Sequence, residues 1–128
     1  NAWTNNALWI LSRNGRWAAM RVPLGDFHPD NIHWQHDGTL LIAGEVGNAS
    51  KILSCGPQKI CGTPSMLVVF KPVQDSTATP WFIPPTTHFG AASTAIRYHG
   101  KCWLSSFLGD RMIEAPVILT GNNTGTTR

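Results

Sequence analysis

The sequence repeats a unit made of a β-hairpin and a following strand, and this repeat limits the folds open to the chain. Residues 31–44 and residues 94–106 each show an alternating strand, a glycine turn and a second strand that ends in small residues. A third strand follows each hairpin, at residues 66–73 and residues 111–117. Self-similarity of this kind is typical of architectures that stack one antiparallel unit beside another.

The length of the repeat indicates a propeller blade. The turn glycines Gly38 and Gly100 are 62 positions apart. Residues 50–65 read as a loop insertion of about sixteen residues, and without it the repeat is about 46 residues, near the ~40–50 of a four-stranded blade. Residues 3–11 resemble the last strands of a preceding blade. The sequence therefore predicts two blades and the end of a third.

This interpretation divides the chain into a partial β-propeller at residues 1–120 and a polar tail at residues 121–128. We expect the end of one blade first, then blades at about 17–73 and 80–119. A ring needs roughly four to eight blades, so 128 residues form one only within a longer chain or an assembly. A small sandwich or barrel of about eight or nine strands is the alternative.

Nine short β-prone runs separated by turn residues carry the all-β prediction. Tight turns are predicted at residues 13–16, 36–38 and 99–100, where Gly or Asn can adopt positive φ. Few helices are expected, because no stretch keeps an apolar period of 3.6 residues for three turns. The predicted strands are residues 7–11, 17–22, 32–34, 39–43, 66–71, 81–83, 94–98, 101–105 and 111–114.

Composition excludes several classes of protein. Ten Lys and Arg against seven Asp and Glu give a net charge of +3, which is too small and too scattered for a nucleic-acid surface. No apolar run approaches the ~20 residues of a membrane-spanning helix. Six Trp and five Phe supply apolar surface that a disordered chain lacks.

The three cysteines are an odd number and do not make a disulfide framework. Cys55 and Cys61 bracket a short loop and could close it in an oxidising compartment. Zinc is not expected, because neither Cys-x-x-Cys nor His-x-x-x-His spacing occurs near them. The compartment stays open on this basis, with a secreted or periplasmic location favoured over a cytoplasmic one.

One segment carries a family resemblance. Residues 24–34 and 36–44 resemble the paraoxonase, arylesterase and SMP-30/gluconolactonase group of six-bladed propellers, in which a loop ending in Asp-Asn-Ile opens a strand. The similarity continues through residues 66–70, 90–95 and 98–106. The resemblance implies an all-β fold of about two and a half blades of a six-bladed β-propeller, with four antiparallel strands per blade.

The resemblance also implies a calcium ion in the central tunnel. Asp30 and Asn31 match the Asp-Asn pair that supplies two calcium ligands in paraoxonases. Both side chains offer oxygen, which calcium prefers, and the ion would assist the attack of water on an ester or lactone carbonyl. An ordinary turn, in which the Asp side chain binds nearby backbone amides, is the alternative for the same residues.

Five further residues are candidates for the substrate pocket. Glu45 stands where the paraoxonase pattern has a His; it could be a calcium neighbour, a general base or a surface carboxylate. Ser93 and Thr94 match small polar residues of the paraoxonase pocket, although such residues also form ordinary turns. His28 and His88 are predicted in loops before strands, at a pocket rim or simply solvated.

The other functional groups of the resembled family lie in blades that this chain does not contain. These are the His pair that activates water, the first acidic ligand and two Asn ligands. We therefore expect the remaining blades, from the same parent chain or a partner chain, to complete any site. The alternatives are a propeller that serves only as a binding or scaffold module, and an autonomous small β-domain.

Overall fold

The computed structural model describes residues 2–55, 60–72 and 78–115. In these ranges the protein is all-β, as predicted, with three antiparallel sheets. A 3-10 helix spans Trp3–Asn5, and a short helix, α1, spans Ala49–Leu53. The strands are β1 Ala7–Ile10, β2 Met20–Pro23, β3 Phe27–Trp34, β4 Leu40–Val46, β5 Ser65–Phe70, β6 Ala78–Ile83, β7 Ala92–Tyr98, β8 Lys101–Ser106 and β9 Met112–Glu114.

Each sheet is built from strands that are consecutive in the chain. Sheet 1 is β1-β2, sheet 2 is β3-β4-β5-β6 and sheet 3 is β7-β8-β9. Every pair is antiparallel and joins strands that follow one another in the chain, which is the usual arrangement of neighbouring strands. Over the described residues the sheets remain separate and do not close into a barrel.

The sheet boundaries differ from the predicted blade boundaries of 17–73 and 80–119. The predicted strand at 17–22 overlaps β2 only at residues 20–22. β2 pairs with β1 in register Ile10↔Met20, because a turn at Gly15 folds the chain back. The run at 81–83 lies in β6, which completes sheet 2 by pairing with β5. Sheet 2 therefore runs from Phe27 to Ile83. The predicted tail at 121–128 lies outside the described residues.

The internal repeat is present in three dimensions. We call β3-β4-β5 the first copy and β7-β8-β9 the second copy; each is a hairpin followed by a paired third strand. The turn glycines Gly38 and Gly100 have φ of 78° and 74°, which favours glycine. Each first strand also has a β-bulge near its start, between Pro29 and Ile32 in the first copy and between Ala92 and Thr94 in the second.

Sheet 2 is buried on both faces because its strands are apolar at successive positions. Ile42, Val68 and Phe70 pack with Leu8 of sheet 1. The alternate residues Leu41, Ala43 and Leu67 pack with Ala95 and Leu104 of sheet 3, among others. Period-two alternation sends these two sets to opposite faces, and each buried large aliphatic side chain contributes about 1.5–3 kcal/mol.

The connection from β4 to β5 carries α1 and a disulfide. Asn48 caps α1 by accepting hydrogen bonds from the backbone N–H groups of Ser50 and Lys51. Cys55 and Cys61 are joined by a disulfide, while Cys102 is a buried free thiol. Neither helix in the described parts of the chain has the length and apolar character that a bilayer crossing requires.

Candidate functional site

The first bulge places Asp30 and Asn31 at the start of sheet 2. Pro29 pairs with Gly44 and Ile32 with Ile42, so both Asp30 and Asn31 lie opposite Ala43 alone. A bulge of this kind turns side chains away from the regular alternation and is frequent beside functional sites. The Asp-Asn pair therefore belongs to a strand and not to an isolated turn.

The second bulge lies against the first. The side-chain Nδ2 of Asn31 donates to the backbone oxygen of Ser93 at 2.9 Å, and it also reaches Asp30 Oδ1 at 3.3 Å. Nearby, His33 Nε2 and Thr94 Oγ1 are 2.9 Å apart. The two bonds of Asn31, to Ser93 and to Asp30, both use its Nδ2. Its Oδ1 is therefore left as a possible oxygen ligand.

Glu45 is a buried carboxylate, only 1% exposed, inside β4. The hypothesis that it is a surface carboxylate is therefore wrong. It pairs across the sheet with His28, one residue before the bulge pair Pro29 and Gly44. The indole Nε1 of Trp3 donates to Glu45 Oε2 at 2.9 Å. The acid thus stands beside the bulge instead of at the sheet surface.

The pKa values of the two carboxyl groups in this region, Glu45 and Asp30, are both raised. Burial raises the pKa of Glu45 above its usual value, and the nearby negative charge of Asp30 raises it further. The Trp3 hydrogen bond and a positive charge on His28 act in the opposite direction. Burial also raises the pKa of Asp30. Two desolvated carboxylates that repel each other are an environment that a bound cation would stabilise.

His28 is not in a loop, contrary to the prediction. It lies in β3, is 5% exposed, and its ring nitrogens contact the backbone oxygens of Trp3 at 2.9 Å and Gly47 at 2.7 Å. Pro29 suggested a turn, but β3 is an edge strand with a bulge at Pro29, and a proline is tolerated there.

His88 does lie in a loop, in an exposed turn before β7. Its backbone N–H donates to Thr86 Oγ1 at 3.2 Å. Among the described residues, no hydrogen bond joins the His88 side chain to the other candidate residues. The structure thus brings together Asp30, Asn31, Glu45 and His28 with the Ser93 and Thr94 bulge, and leaves His88 apart.

The strand that carries Ser93 is held in place by the segment after the disulfide. The backbone N–H of Ala91 donates to the Thr63 oxygen at 2.8 Å, and that of Ala92 donates to Ser65 Oγ at 2.8 Å. Gly90 lies so close to the Cys61 carbonyl oxygen that a Cβ atom would collide with it. The disulfide-bonded connection of sheet 2 therefore positions the second bulge.

Asp30, Asn31 and Glu45 fit a calcium site in chemical type, since all three offer oxygen. Over the described ranges, no group of three or more His, Cys, Asp or Glu side chains could hold a metal ion by itself. Calcium takes about six to eight oxygens, so these residues would supply part of a coordination shell.

Trp3 is a site residue that the sequence did not predict. Besides its bond to Glu45, its ring lies against that of His28 with centroids 4.6 Å apart. Trp3 and Glu45 are 42 positions apart, and nothing in the local sequence pattern connects them. No protein-family model and no curated protein matches the chain.

Proposed function

We propose that the chain is the C-terminal portion of a six-bladed β-propeller that hydrolyses lactones or esters with a calcium ion, similar to the paraoxonase and SMP-30/gluconolactonase group. The observation that supports the proposal is the pair of bulges, in which Asn31 donates to the backbone oxygen of Ser93. The buried acid Glu45 lies across the sheet from His28, two residues before Asp30. Structural turns have no need of a buried, electrostatically unfavourable acid at this position.

The exposed apolar faces of the outer sheets support the assignment to a larger ring. Trp9 of sheet 1 is 45% exposed, and Ile96 and Met112 of sheet 3 are 42% and 52% exposed. Ile96 and Trp103 pair on the face of sheet 3 opposite to buried Leu104. Sheet 2 shows how such faces are covered, by a sheet on each side, and the remaining blades would cover these faces in the same way.

In this proposal Asp30 and Asn31 are calcium ligands, and Glu45, Ser93 and Thr94 line the substrate pocket. When bound, calcium polarises the scissile carbonyl and stabilises negative charge on its oxygen. His28 holds Trp3 against the end of β4 through the backbone oxygens of Trp3 and Gly47. The groups that activate water, and further oxygen ligands, come from the other blades.

The disulfide supports a location outside the reducing cytosol. Cys55 and Cys61 are joined across a sequence separation of 6, and such bonds persist in oxidising compartments. This supports our proposal of a secreted or periplasmic location over a cytoplasmic one.

The first test is the native mass of the material that carries this chain. A ring of about six blades at ~40–50 residues each requires roughly 35–45 kDa. On that material, hydrolysis of phenyl acetate and of a simple lactone is measured with calcium and with a chelator. Asp30→Asn is expected to abolish hydrolysis, whereas Asp26→Asn, which removes an equal charge from an exposed site just before β3, is expected to retain it.

Each outcome separates the hypotheses. Calcium-dependent hydrolysis that Asp30→Asn removes supports the proposal. A ring of the expected mass without calcium binding or hydrolysis would identify a binding or scaffold propeller. A folded 14.0 kDa monomer would overturn the ring and the hydrolase together, and would leave an autonomous small β-domain.

A further inference from the structure

The connection from β4 to β5 carries an Asn-Ala-Ser triplet, Asn48 to Ser50, that the proposed calcium site does not use. A triplet Asn-x-Ser or Asn-x-Thr, in which x is not proline, is the pattern at which N-linked glycans are attached to secreted proteins. Such a short pattern also occurs by chance, so its structural surroundings decide whether it can carry a glycan. Both Asn48 and Ser50 are exposed. A second such triplet, at residues 122–124, lies outside the described residues.

The side-chain amide of Asn48 is held through its oxygen. Oδ1 accepts from the backbone N–H of Ser50 at 2.9 Å and from the Ser50 hydroxyl at 2.6 Å, with the N–H of Lys51 at 3.4 Å. Because a backbone N–H only donates, the amide atom that faces it is the oxygen. Among the described residues, no hydrogen bond uses the Nδ2 of Asn48. The nitrogen that would carry a glycan is therefore free on an exposed residue.

The hydrogen bonds of Asn48 are compatible with a sugar on Nδ2. N-glycosylation turns the primary amide into a secondary amide and keeps the carbonyl oxygen, so the acceptor that caps α1 is retained. Loss of such a cap costs about 0.5–2 kcal/mol. A glycan at this position avoids that cost, because it replaces a hydrogen that makes no bond within the described parts of the chain.

The disulfide is an independent observation on the same connection. Cys55, just beyond α1, is bonded to Cys61. Such bonds form in the oxidising compartments through which secreted proteins pass, and N-glycans are attached to secreted proteins in the same compartments. The connection from β4 to β5 thus combines an exposed acceptor triplet with a bond that forms where glycans are transferred.

We propose that Asn48 is an N-glycosylation site. Its Nδ2 forms a bond to the anomeric carbon of an oligosaccharide supplied on a polyprenyl diphosphate. The bond between that carbon and the diphosphate oxygen breaks, the diphosphate keeps the electron pair, and one amide proton is released. The inference requires secretion but not hydrolysis. It also requires that, in an assembled ring, the connection from β4 to β5 faces solvent, because a glycan is bulky and lies on the surface.

The test uses the full protein that carries this chain, secreted from eukaryotic cells. Peptide-N-glycosidase in heavy-oxygen water converts a glycosylated Asn into a labelled Asp, and peptide mass spectrometry locates the label. We expect label at Asn48 in the wild type and in Ser50→Thr, and complete loss in Ser50→Ala. Ser50→Ala removes the acceptor pattern but keeps Asn48 and the backbone N–H that it caps, so the loss does not reflect a missing cap.

Asn14 is the matched control within the chain. It is also exposed, and its Oδ1 accepts from the backbone N–H of Arg16 at 3.2 Å, but Arg16 stands where the pattern needs Ser or Thr. We expect no label at Asn14 beyond that of a sample incubated without the enzyme. Enzyme-dependent label at Asn48 that Ser50→Ala removes would support the proposal.

Two results would overturn the proposal. One is unmodified Asn48 in the secreted wild-type protein, and the other is label at Asn48 that persists in Ser50→Ala. Neither result depends on calcium binding or hydrolysis, so this inference and the proposed function fail separately.

Discussion

The two copies of the repeat share a backbone plan and differ in the chemistry at one end. Each has a hairpin, a third strand and a bulge near the start of its first strand. The registers make Ser93 and Thr94 the counterparts of Asp30 and Asn31. Similarly, the buried acid Glu45 corresponds to Phe107, which is 48% exposed.

This difference shows that the repeat pattern builds the backbone, while a few substitutions at the bulge build the site. The first copy supplies acids and an amide, and the second supplies the carbonyl oxygen of Ser93 that orients Asn31. Neither copy forms the cluster alone. The site therefore depends on the contact between the two copies as much as on its own residues.

The largest expected effect comes from the bulge partners Gly44 and Ser106. A Cβ atom on Gly44 would collide with the His28 carbonyl oxygen, whereas the second copy accommodates a serine there. We expect Gly44→Ala to lower the free energy of unfolding by about 3 kcal/mol and Ser106→Ala to lower it by less than about 1 kcal/mol. Urea denaturation measures both free energies of unfolding. Equal losses for the two variants would show that the close contact at Gly44 does not distinguish the first bulge from the second.

Loss of the disulfide should weaken the second copy at its start. The Cys55–Cys61 bond closes a loop with a sequence separation of 6, and such a bond contributes about 2 kcal/mol. The double variant Cys55→Ser with Cys61→Ser should lose this amount and show faster amide exchange at Ala91 and Ala92. Cys102→Ala is the control, and unchanged exchange at those two amides would contradict the proposed support of β7.

At alkaline pH we expect the protein to lose stability because of Cys102 in the second copy. Burial raises the pKa of the Cys102 thiol from 9.0 to about 11. Above pH 9 the unfolded chain loses this proton while the folded chain keeps it, so stability falls between pH 9 and 11. The slope is at most about 1.4 kcal/mol per pH unit. Denaturation of wild type and Cys102→Ala across this range measures it, and parallel curves would refute it.

The smallest effect concerns the acid of the first copy in calcium-free buffer. Because the pKa of Glu45 is raised, the folded protein takes up its proton at a higher pH than the unfolded chain. Stability should therefore rise as the pH falls from neutral toward the usual carboxyl range, and Glu45→Gln should raise stability at pH 7 and flatten this dependence. The matched variant Glu114→Gln, in an exposed ion pair with Lys101, should change stability by less than about 1 kcal/mol. A larger change in stability for Glu114→Gln than for Glu45→Gln would contradict this prediction.

Local sequence signals predicted the strands and turns well, because each depends on nearby residues. The positive φ values of Gly15, Gly38 and Gly100 confirm the predicted tight turns. The equivalence of β3-β4-β5 with β7-β8-β9 also follows from the repeat. The partner strands of β2 and of β6 could not be predicted in this way. A β-prone run between two sheets can join either of them, and the sequence does not show which one it joins.

The site was predictable only in part for a similar physical reason. Asp30 and Asn31 stand in a recognisable motif, but the burial of Glu45 and His28 depends on cross-strand pairing and on Trp3. His28 was misplaced because His-Pro-Asp resembles a turn, and a bulged edge strand tolerates the same residues. The hydrogen bond between Trp3 and Glu45 joins residues 42 positions apart, so no local sequence pattern predicts it.

We propose that Asp30 and Asn31 of the first copy bind calcium. Calorimetric titration of the assembled protein with calcium tests it most directly, with Asp30→Asn and Glu114→Gln each removing one negative charge from a different copy. The account predicts that Asp30→Asn lowers calcium affinity more than about 100-fold, since loss of an outer partner alone costs about 10–100-fold, and that Glu114→Gln binds like wild type. Equal binding by all three proteins would contradict it.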